Sequence, residues 1–529
     1  MISSLEKFSN SLLNGMKFPS GLCLLRELWS SSIANNKGHN VYYMLPLLLG
    51  LLGFIWQLRM GRRGQQGFVV VFMLFLMTGL AIVVYLNQTP YQPRERDYAY
   101  AGSFYAFAIW IGMGVAAIAE LLGNIRTQQR NNTTTLFTSS LSVLLCLCVP
   151  LQMMGQNWDD HDRSDRYLAH DFGQNYLSSL EQDAIIFTNG DNDTFPLWYA
   201  IEVEGFRPDV RVCNLAYLQT DWYIDQMKSP AYQSAPLPIP YSRQQYAGRN
   251  LLVALSQDFH IPVDREAILQ SEVLHLQPGD SILEAMDIRL SDRRYLYRNE
   301  IMQLAMLDSI ASSGWKRPLY FAVSVGPDVY VGMDPYFRTS GLAYQVVPLA
   351  QQGTDNVDVD FTFDCLMHRF KWGNVDKEDI YLDETSLNMC ATHRMIFARL
   401  IEALLERGDV ARALEAALYC QQVLPLSNVP ADVSSVSVAR ALLYGGHEQE
   451  AKELMDRLLA QSDQYLRWLF SLDAVRLASC SRSLRNHLST MQYALQEIAR
   501  WPSASDLTDL YITSFADYYE QYKTLNKKR

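Results

Sequence analysis

Long apolar runs crowd the first 155 residues, and beyond them charged and apolar positions alternate as in a globular chain. Four segments, 41–58, 68–86, 104–123 and 136–155, approach the ~20 apolar residues needed to cross a hydrocarbon core of ~30 Å. The first three carry no charge before Glu120, at the end of the third. The fourth holds Thr138, Ser139, Ser140, Ser142 and Pro150 but no ionisable group. Buried helices of a large soluble core normally keep a polar face. The pattern therefore predicts about four transmembrane helices within 41–155. Residues 1–40 are polar and lack the apolar core of a cleavable signal peptide, so they are expected to form an extracytoplasmic N-terminal segment.

Orientation follows from the basic residues of the short loops. Arg59, Arg62 and Arg63 follow the first apolar run, and Arg126 and Arg130 follow the third, with no acid beside them. Those loops read as cytoplasmic, which places everything after residue 155 on the far side, the periplasm of a bacterium.

Residues 156–350 read as an α/β domain. Short apolar runs at 184–188, 210–215, 318–325 and 342–348 fit buried strands. Helical patterns fall at 196–204, with Pro196 near the start, and at 300–313. Strand–helix–strand order with short connections predicts parallel pairing. Residues 228–296, rich in Pro, Gln and Ser, look like an irregular insertion, and 351–390 like a linker. From 391 to 529 the pattern is helical. Gly408 and Gly446 align at a spacing of 38, as do Ala413 and Ala451. A turn glycine and a small alanine at a helix contact suggest tetratricopeptide-like hairpins, an ordinary helical bundle being the alternative. The expected architecture is a membrane α-helical bundle, then a soluble α/β domain, then a C-terminal α-helical, tetratricopeptide-like domain.

Composition changes this picture little. The net charge of −11, with no run of Lys or Arg, excludes nucleic acid as a partner. Eight cysteines without CxxC spacing read as buried thiols.

Candidate chemistry concentrates in two places. In the loop after the second apolar run, Arg94 and Arg96 share one face of an extended backbone and Glu95 and Asp97 the other. The arginine forks suit the phosphate of a lipid-linked donor, unless they pair with those acids as structural ties. After the first strand comes Asn189-Gly190-Asp191-Asn192-Asp193-Thr194, with Asp221 just past the second. Ligands bind at the carboxyl ends of parallel strands, so Asp191, Asn192, Asp193 and Asp221 are candidates for holding a sugar or a divalent cation. The competing assignment gives Gly190 and Asn192 to a turn and Asp193 or Thr194 to a helix cap. Trp198, Tyr199, Trp222 and Tyr223 suit either sugar stacking or a core. Asp159, Asp160, His161 and Asp162 lack a second ligand at helical spacing and read as a solvated juxtamembrane face, so no metal site is assigned.

Several longer motifs carry a resemblance. They are Asn35-Asn36-Lys37-Gly38-His39-Asn40 with Tyr42-Tyr43, and Gln92-Pro93-Arg94-Glu95-Arg96-Asp97-Tyr98. Two more are Asn157-Trp158-Asp159-Asp160-His161-Asp162-Arg163 and Phe187-Thr188-Asn189-Gly190-Asp191-Asn192-Asp193-Thr194-Phe195-Pro196. Together they resemble the C-terminal half of the Bacteroidetes protein O-mannosyltransferase-like membrane family, itself related to the vertebrate transmembrane O-mannosyltransferase. The resemblance implies a polytopic glycosyltransferase that moves sugar from a lipid-phosphate donor to an acceptor protein on the extracytoplasmic face. In that family the catalytic acid lies in the first extracytoplasmic loop. Residues 1–40 match no such loop, Glu6 and Glu27 lacking its context, so no catalytic residue is assigned and a separate N-terminal half is an expected partner. The alternative is a non-catalytic, membrane-anchored scaffold that binds partner proteins through its hairpins.

Overall fold

The computed structural model describes residues 37–87, 96–126, 132–248, 258–290, 293, 295–350, 356–377 and 380–527. The chain divides into two compact units, one holding the membrane helices up to Arg163 together with Gln464–Asn486, the other Ser164–Asp463 with His487–Arg529.

Among the described residues three stretches of the first unit are long and apolar enough to cross a membrane: Gly61–Leu86, Asp97–Gly123 and Thr135–His161. The earliest apolar run forms instead a helix of 15 residues, α1 (Leu45–Arg59). At 1.5 Å per residue it is about 22 Å long, short of a ~30 Å core. The expectation of four spanning helices is thus corrected to three and a shorter one. The cause is local. Tyr43 and Met44 adopt left-handed backbone (φ 49° and 57°), which delays the helix, and Gly61 (φ 72°) turns the chain just past its end.

The first spanning stretch is α2 (Gly61–Thr78) and α3 (Leu80–Leu86), broken at Gly79. The second contains α4 (Ala101–Arg126), and the third α5 (Asn132–Cys146) and α6 (Cys148–His161). α1 and α4 cross at glycines. A Cβ on Gly53 would lie 1.9 Å from the Trp110 carbonyl oxygen, and one on Gly114 2.2 Å from that of Leu49. Small residues let backbones meet where lipid supplies no hydrophobic drive between helices. Beside the crossing, buried Trp110 donates its Nε1–H to Gln57 Oε1 at 2.8 Å, satisfying both groups away from water. Exposed Tyr43, Tyr85, Tyr98 and Trp158 stand at one end of these helices, Arg59, Arg62 and Arg63 at the other.

The second unit is built on a five-stranded sheet of order β2-β1-β5-β7-β6. Its strands are β1 (Ile185–Thr188), β2 (Arg211–Asn214), β5 (Leu319–Ala322), β6 (Phe337–Ser340) and β7 (Ala343–Val346). A separate antiparallel pair, β3 (Phe259–Pro262) with β4 (Ala285–Ile288), lies inside the otherwise largely irregular 228–296 region. β1 runs parallel to β2 and to β5, Ile185 facing Arg211 on one side and Leu319 on the other. The strand expected at 342–348 is present as β7 but antiparallel to β5, because a tight turn at Gly341 (φ 56°) folds it back from β6.

Ile185, Ile186, Phe187 and Phe321 are fully buried, and the Phe187 and Phe321 rings meet edge to face at 5.0 Å. Burial of each such side chain is worth about 1.5–3 kcal/mol, which anchors the central strands. Packed around them are α7 (Leu168–Ser178), α8 (Asp191–Glu202), α9 (Asp221–Met227) and α10 (Arg298–Ser312). α8 begins five residues ahead of the expected 196, so Pro196 lies inside it rather than near its start.

The 351–390 segment holds a short helix, Val359–Asp364, a π-helical turn, Cys365–Arg369, and the start of α11 (Glu384–Glu406). Next come α12 (Val410–Val423), α13 (Ser435–Tyr444), α14 (Glu448–Phe470), α15 (Ser481–Ile498) and α16 (Ser505–Lys527). The α11–α12 and α13–α14 turns are built alike. Gly408 (φ 76°) and Gly446 (φ 86°) take left-handed backbone, and the next amide, Asp409 or His447, bonds back to Leu404 or Leu442. Ala413 and Ala451, at the helix contacts, are fully buried.

Candidate functional site

From β1 the chain runs through α8 to β2 on one side, and it later returns to β5 on the other. Such a reversal opens a crevice at the carboxyl ends of the strands, where α8 begins. Asp193 sits there almost wholly buried, accepting from the Gly190 amide at 2.8 Å, the Asn189 amide at 3.4 Å and Ser324 Oγ at 3.0 Å. Burial pushes its carboxyl above the usual carboxylate range, against the pull of these bonds. Ser324, exposed just past β5, also accepts from the Tyr176 hydroxyl at 3.2 Å. Behind this line, Thr194 Oγ1 lies 2.7 Å from Thr188 Oγ1 and accepts from Asn214 Nδ2 at 2.9 Å.

The sequence-derived candidates separate accordingly. Asp193 is turned inward as the cap of α8, whereas Asp191 and Asn192 are exposed, with no side-chain partner among the described residues. Asp221, at the start of α9, pairs with Arg298 and accepts from the Gly248 amide at 2.7 Å. No group of three His, Cys, Asp or Glu side chains converges as a metal site among the described residues.

The aromatic candidates separate too. Tyr223 is core, its hydroxyl accepting from the Asn214 amide at 2.9 Å. Trp198 and Trp222 belong instead to a surface row with Phe195 and Tyr217. Ring centroids lie 5.6 Å apart for Phe195–Trp198, 6.2 Å for Trp198–Tyr217 and 6.1 Å for Tyr217–Trp222, the first two pairs stacked. Tyr199 is exposed on the neighbouring face of α8, 6.4 Å from His170. That histidine is spoken for, with Nδ1 2.7 Å from Asp171 and Nε2 2.8 Å from Glu204. Burial lowers its pKa but the two carboxylates outweigh burial and raise it. Neither ring nitrogen remains for proton transfer to a ligand.

On the membrane side Arg94 and Glu95 lie outside the described residues. Arg96 is exposed, and Asp97 opens a 3-10 turn, Asp97–Tyr100. The juxtamembrane acids are not uniformly solvated: Asp160 is buried, with Asn40 Nδ2 donating to it at 3.2 Å and to Asn157 Oδ1 at 3.1 Å. The Tyr42 hydroxyl donates to the same Asn157 oxygen at 2.7 Å. Two motifs over 100 residues apart in sequence thus tie the entry of α1 to the end of α6. Their joint appearance in the resemblance was the one sequence signal for that contact. Ser324 and Tyr176 carried none.

A bundle of membrane helices and an α/β sheet with a polar, aromatic carboxyl edge define the class of protein. The family described as TMEM260-associated domain 2 matches residues 169–255 and 247–362, which take in the whole sheet. The protein O-mannosyl-transferase tmem260 of Dictyostelium discoideum is 27% identical over 161 residues, 28% of this chain and 19% of that protein. The match thus spans about a fifth of that relative's length. No solved structure matches. The chain is related to the TMEM260 O-mannosyltransferase family.

Proposed function

We propose that the chain serves in protein O-glycosylation of the O-mannosyltransferase type, moving sugar from a lipid-phosphate donor to protein on the extracytoplasmic face. The observation that carries this reading is the family match over the sheet and its carboxyl edge, together with a relative named as a protein O-mannosyl-transferase. Arg94 and Arg96, flanked by Glu95 and Asp97, hold the donor phosphate at headgroup level. Asp191 and Asn192 face the acceptor side from the start of α8, with a sugar as the ligand that suits that edge, while Asp193 and Asp221 hold the edge in place behind them. The sheet-bearing unit faces the periplasm, the orientation that the basic loops favour. The test is deletion of the gene in its host and mass spectrometry of envelope glycoproteins. Loss of O-linked hexose, restored by the intact gene and not by an Arg94→Ala, Arg96→Ala version expressed at the same level, is expected. Unaltered O-glycosylation on deletion would sink the reading.

One feature favours a scaffold as the second reading. A cavity of about 590 Å³ among the hairpins is lined by Arg440, Tyr444, Glu497, Arg500 and Trp501, a mixed charged and aromatic wall suited to a peptide. Tetratricopeptide-like hairpins would use such a surface to hold a partner protein without chemistry.

A further inference from the structure

We infer that the aromatic row at the carboxyl edge is a platform for a neutral saccharide, which rests on the reading of that edge as a sugar site and adds the surface and the class of sugar it takes. Phe195 and Trp198 project from α8, Tyr217 from the turn after β2 and Trp222 from α9. Three elements thus contribute to one surface row. Phe195 and Trp222, its end members, are 47% and 57% exposed, a large apolar outlay for a surface facing water. Stacking of the inner rings holds the row in one geometry before any ligand arrives, which limits the ordering cost on binding.

The surrounding polar groups select the ligand. Asp191 and Asn192 stand exposed at the start of α8, one turn from Phe195, with free acceptor oxygens. Arg298, which donates to the Gln219 carbonyl beside the row, is buried and paired with Asp221. The exposed Asp191 carboxylate disfavours phosphate, sulfate and uronate at this end of the row, which favours an uncharged sugar over an anionic one. A neutral pyranose meets both demands. Its C–H face packs on an aromatic ring, and its hydroxyls donate to carboxylate and amide oxygens.

The test uses the full chain in detergent micelles and saturation-transfer NMR with methyl α-D-mannopyranoside and methyl α-D-glucopyranoside as probes, glucose 6-phosphate serving as the charged control. The expected result is saturation of ring C–H protons of at least one neutral glycoside at millimolar concentration. The phosphorylated sugar should give a signal at least threefold weaker. Phe195→Ala with Trp222→Ala should reduce the neutral-sugar signal by threefold or more. Trp222→Tyr, which keeps a ring, should retain most of it, and Asp191→Ala, which removes an exposed group without touching the core, should weaken it. No transfer to either neutral glycoside, or a full signal in a double variant that melts like the parent, overturns the inference. Sugar binding and O-glycosylation are read separately: no binding while O-linked hexose still depends on the gene overturns the platform alone, and binding with O-glycosylation unaltered on deletion overturns the enzymatic reading alone.

Discussion

Asp191 and Asp193 stand two positions apart on one helical turn and meet opposite surroundings. Replacing Asp193 by Ala removes the side chain that reaches back to the Gly190 amide at the start of α8, so a loss of about 0.5–2 kcal/mol is expected in chemical unfolding of the detergent-solubilised chain. Asp191→Ala should cost under about 1 kcal/mol, the scale of a charge at an exposed helix start. Equal losses would mean that Asp193 is not the cap. The sequence offered Asp191 and Asp193 together as ligand candidates and, as the competing assignment, Asp193 or Thr194 as the cap; the inward turn of Asp193 depended on Ser324 and Tyr176, brought in by tertiary folding from β5 and α7. His393 shows the same limit. It sits fully buried on α11, its Nδ1 2.9 Å from the Met389 carbonyl and its Nε2 3.1 Å from Asn175 Nδ2, and burial pulls its pKa down to about 4 despite the bond to Met389. Since the unfolded value is ~6.5, the unfolded chain takes up this proton first as pH falls. The stabilising contribution is therefore full above pH ~6.5 and lost towards about 4. Its size is on the order of 3 kcal/mol. Hydrogen exchange of α11 amides should accelerate over that window, and in His393→Gln the pH dependence should flatten. An unaltered slope in the variant would assign the acid sensitivity to other groups.

Helices and strands were legible to within a few residues wherever local pattern decides them. The 184–188, 210–215 and 318–325 runs became β1, β2 and β5. The direction of β7 was not legible, because a strand's partner is chosen by the whole sheet, and α1 began late because the left-handed backbone of Tyr43 and Met44 carries no hydropathy signal. At the α1–α4 crossing the structure makes a sharp distinction among glycines. Gly53→Ala and Gly114→Ala press a methyl into a carbonyl, whereas a Cβ on Gly112 meets nothing within 4 Å. The first two should lower the melting temperature in detergent, with overpacking costs of about 1–3 kcal/mol, and Gly112→Ala should leave it unchanged. Similar melting for all three would mean that the helices stand farther apart. In the hairpins, Gly446→Ala forces a side chain onto φ 86° and should cost about 1 kcal/mol or more, read as earlier unfolding of α13 and α14 by hydrogen exchange.

Across the whole chain, membrane insertion was plain from the apolar runs, and the site was legible as a region more than as a set of roles. Orientation gives a direct prediction. A cysteine placed at Arg62 should resist a membrane-impermeant maleimide in intact cells, whereas one near residue 529 should react once the outer membrane is permeabilised. The reverse pattern would invert the proposed topology. Trp158, exposed beside the end of α6, should be quenched by lipids brominated near the headgroup and spared by those brominated at the chain terminus.

The pairing of β1 also sets an order of events during synthesis. β2 follows β1 closely, but its other neighbour, β5, lies about 130 residues further along. At ~5–20 residues per second, one flank of Ile185–Thr188 stays open for roughly 7–30 s after that strand emerges. An apolar strand with a bare edge is an invitation to pair with another chain. Slowed elongation between residues 230 and 318, or loss of a holding chaperone in the receiving compartment, should therefore raise the aggregated fraction more than the same disturbance placed after residue 350.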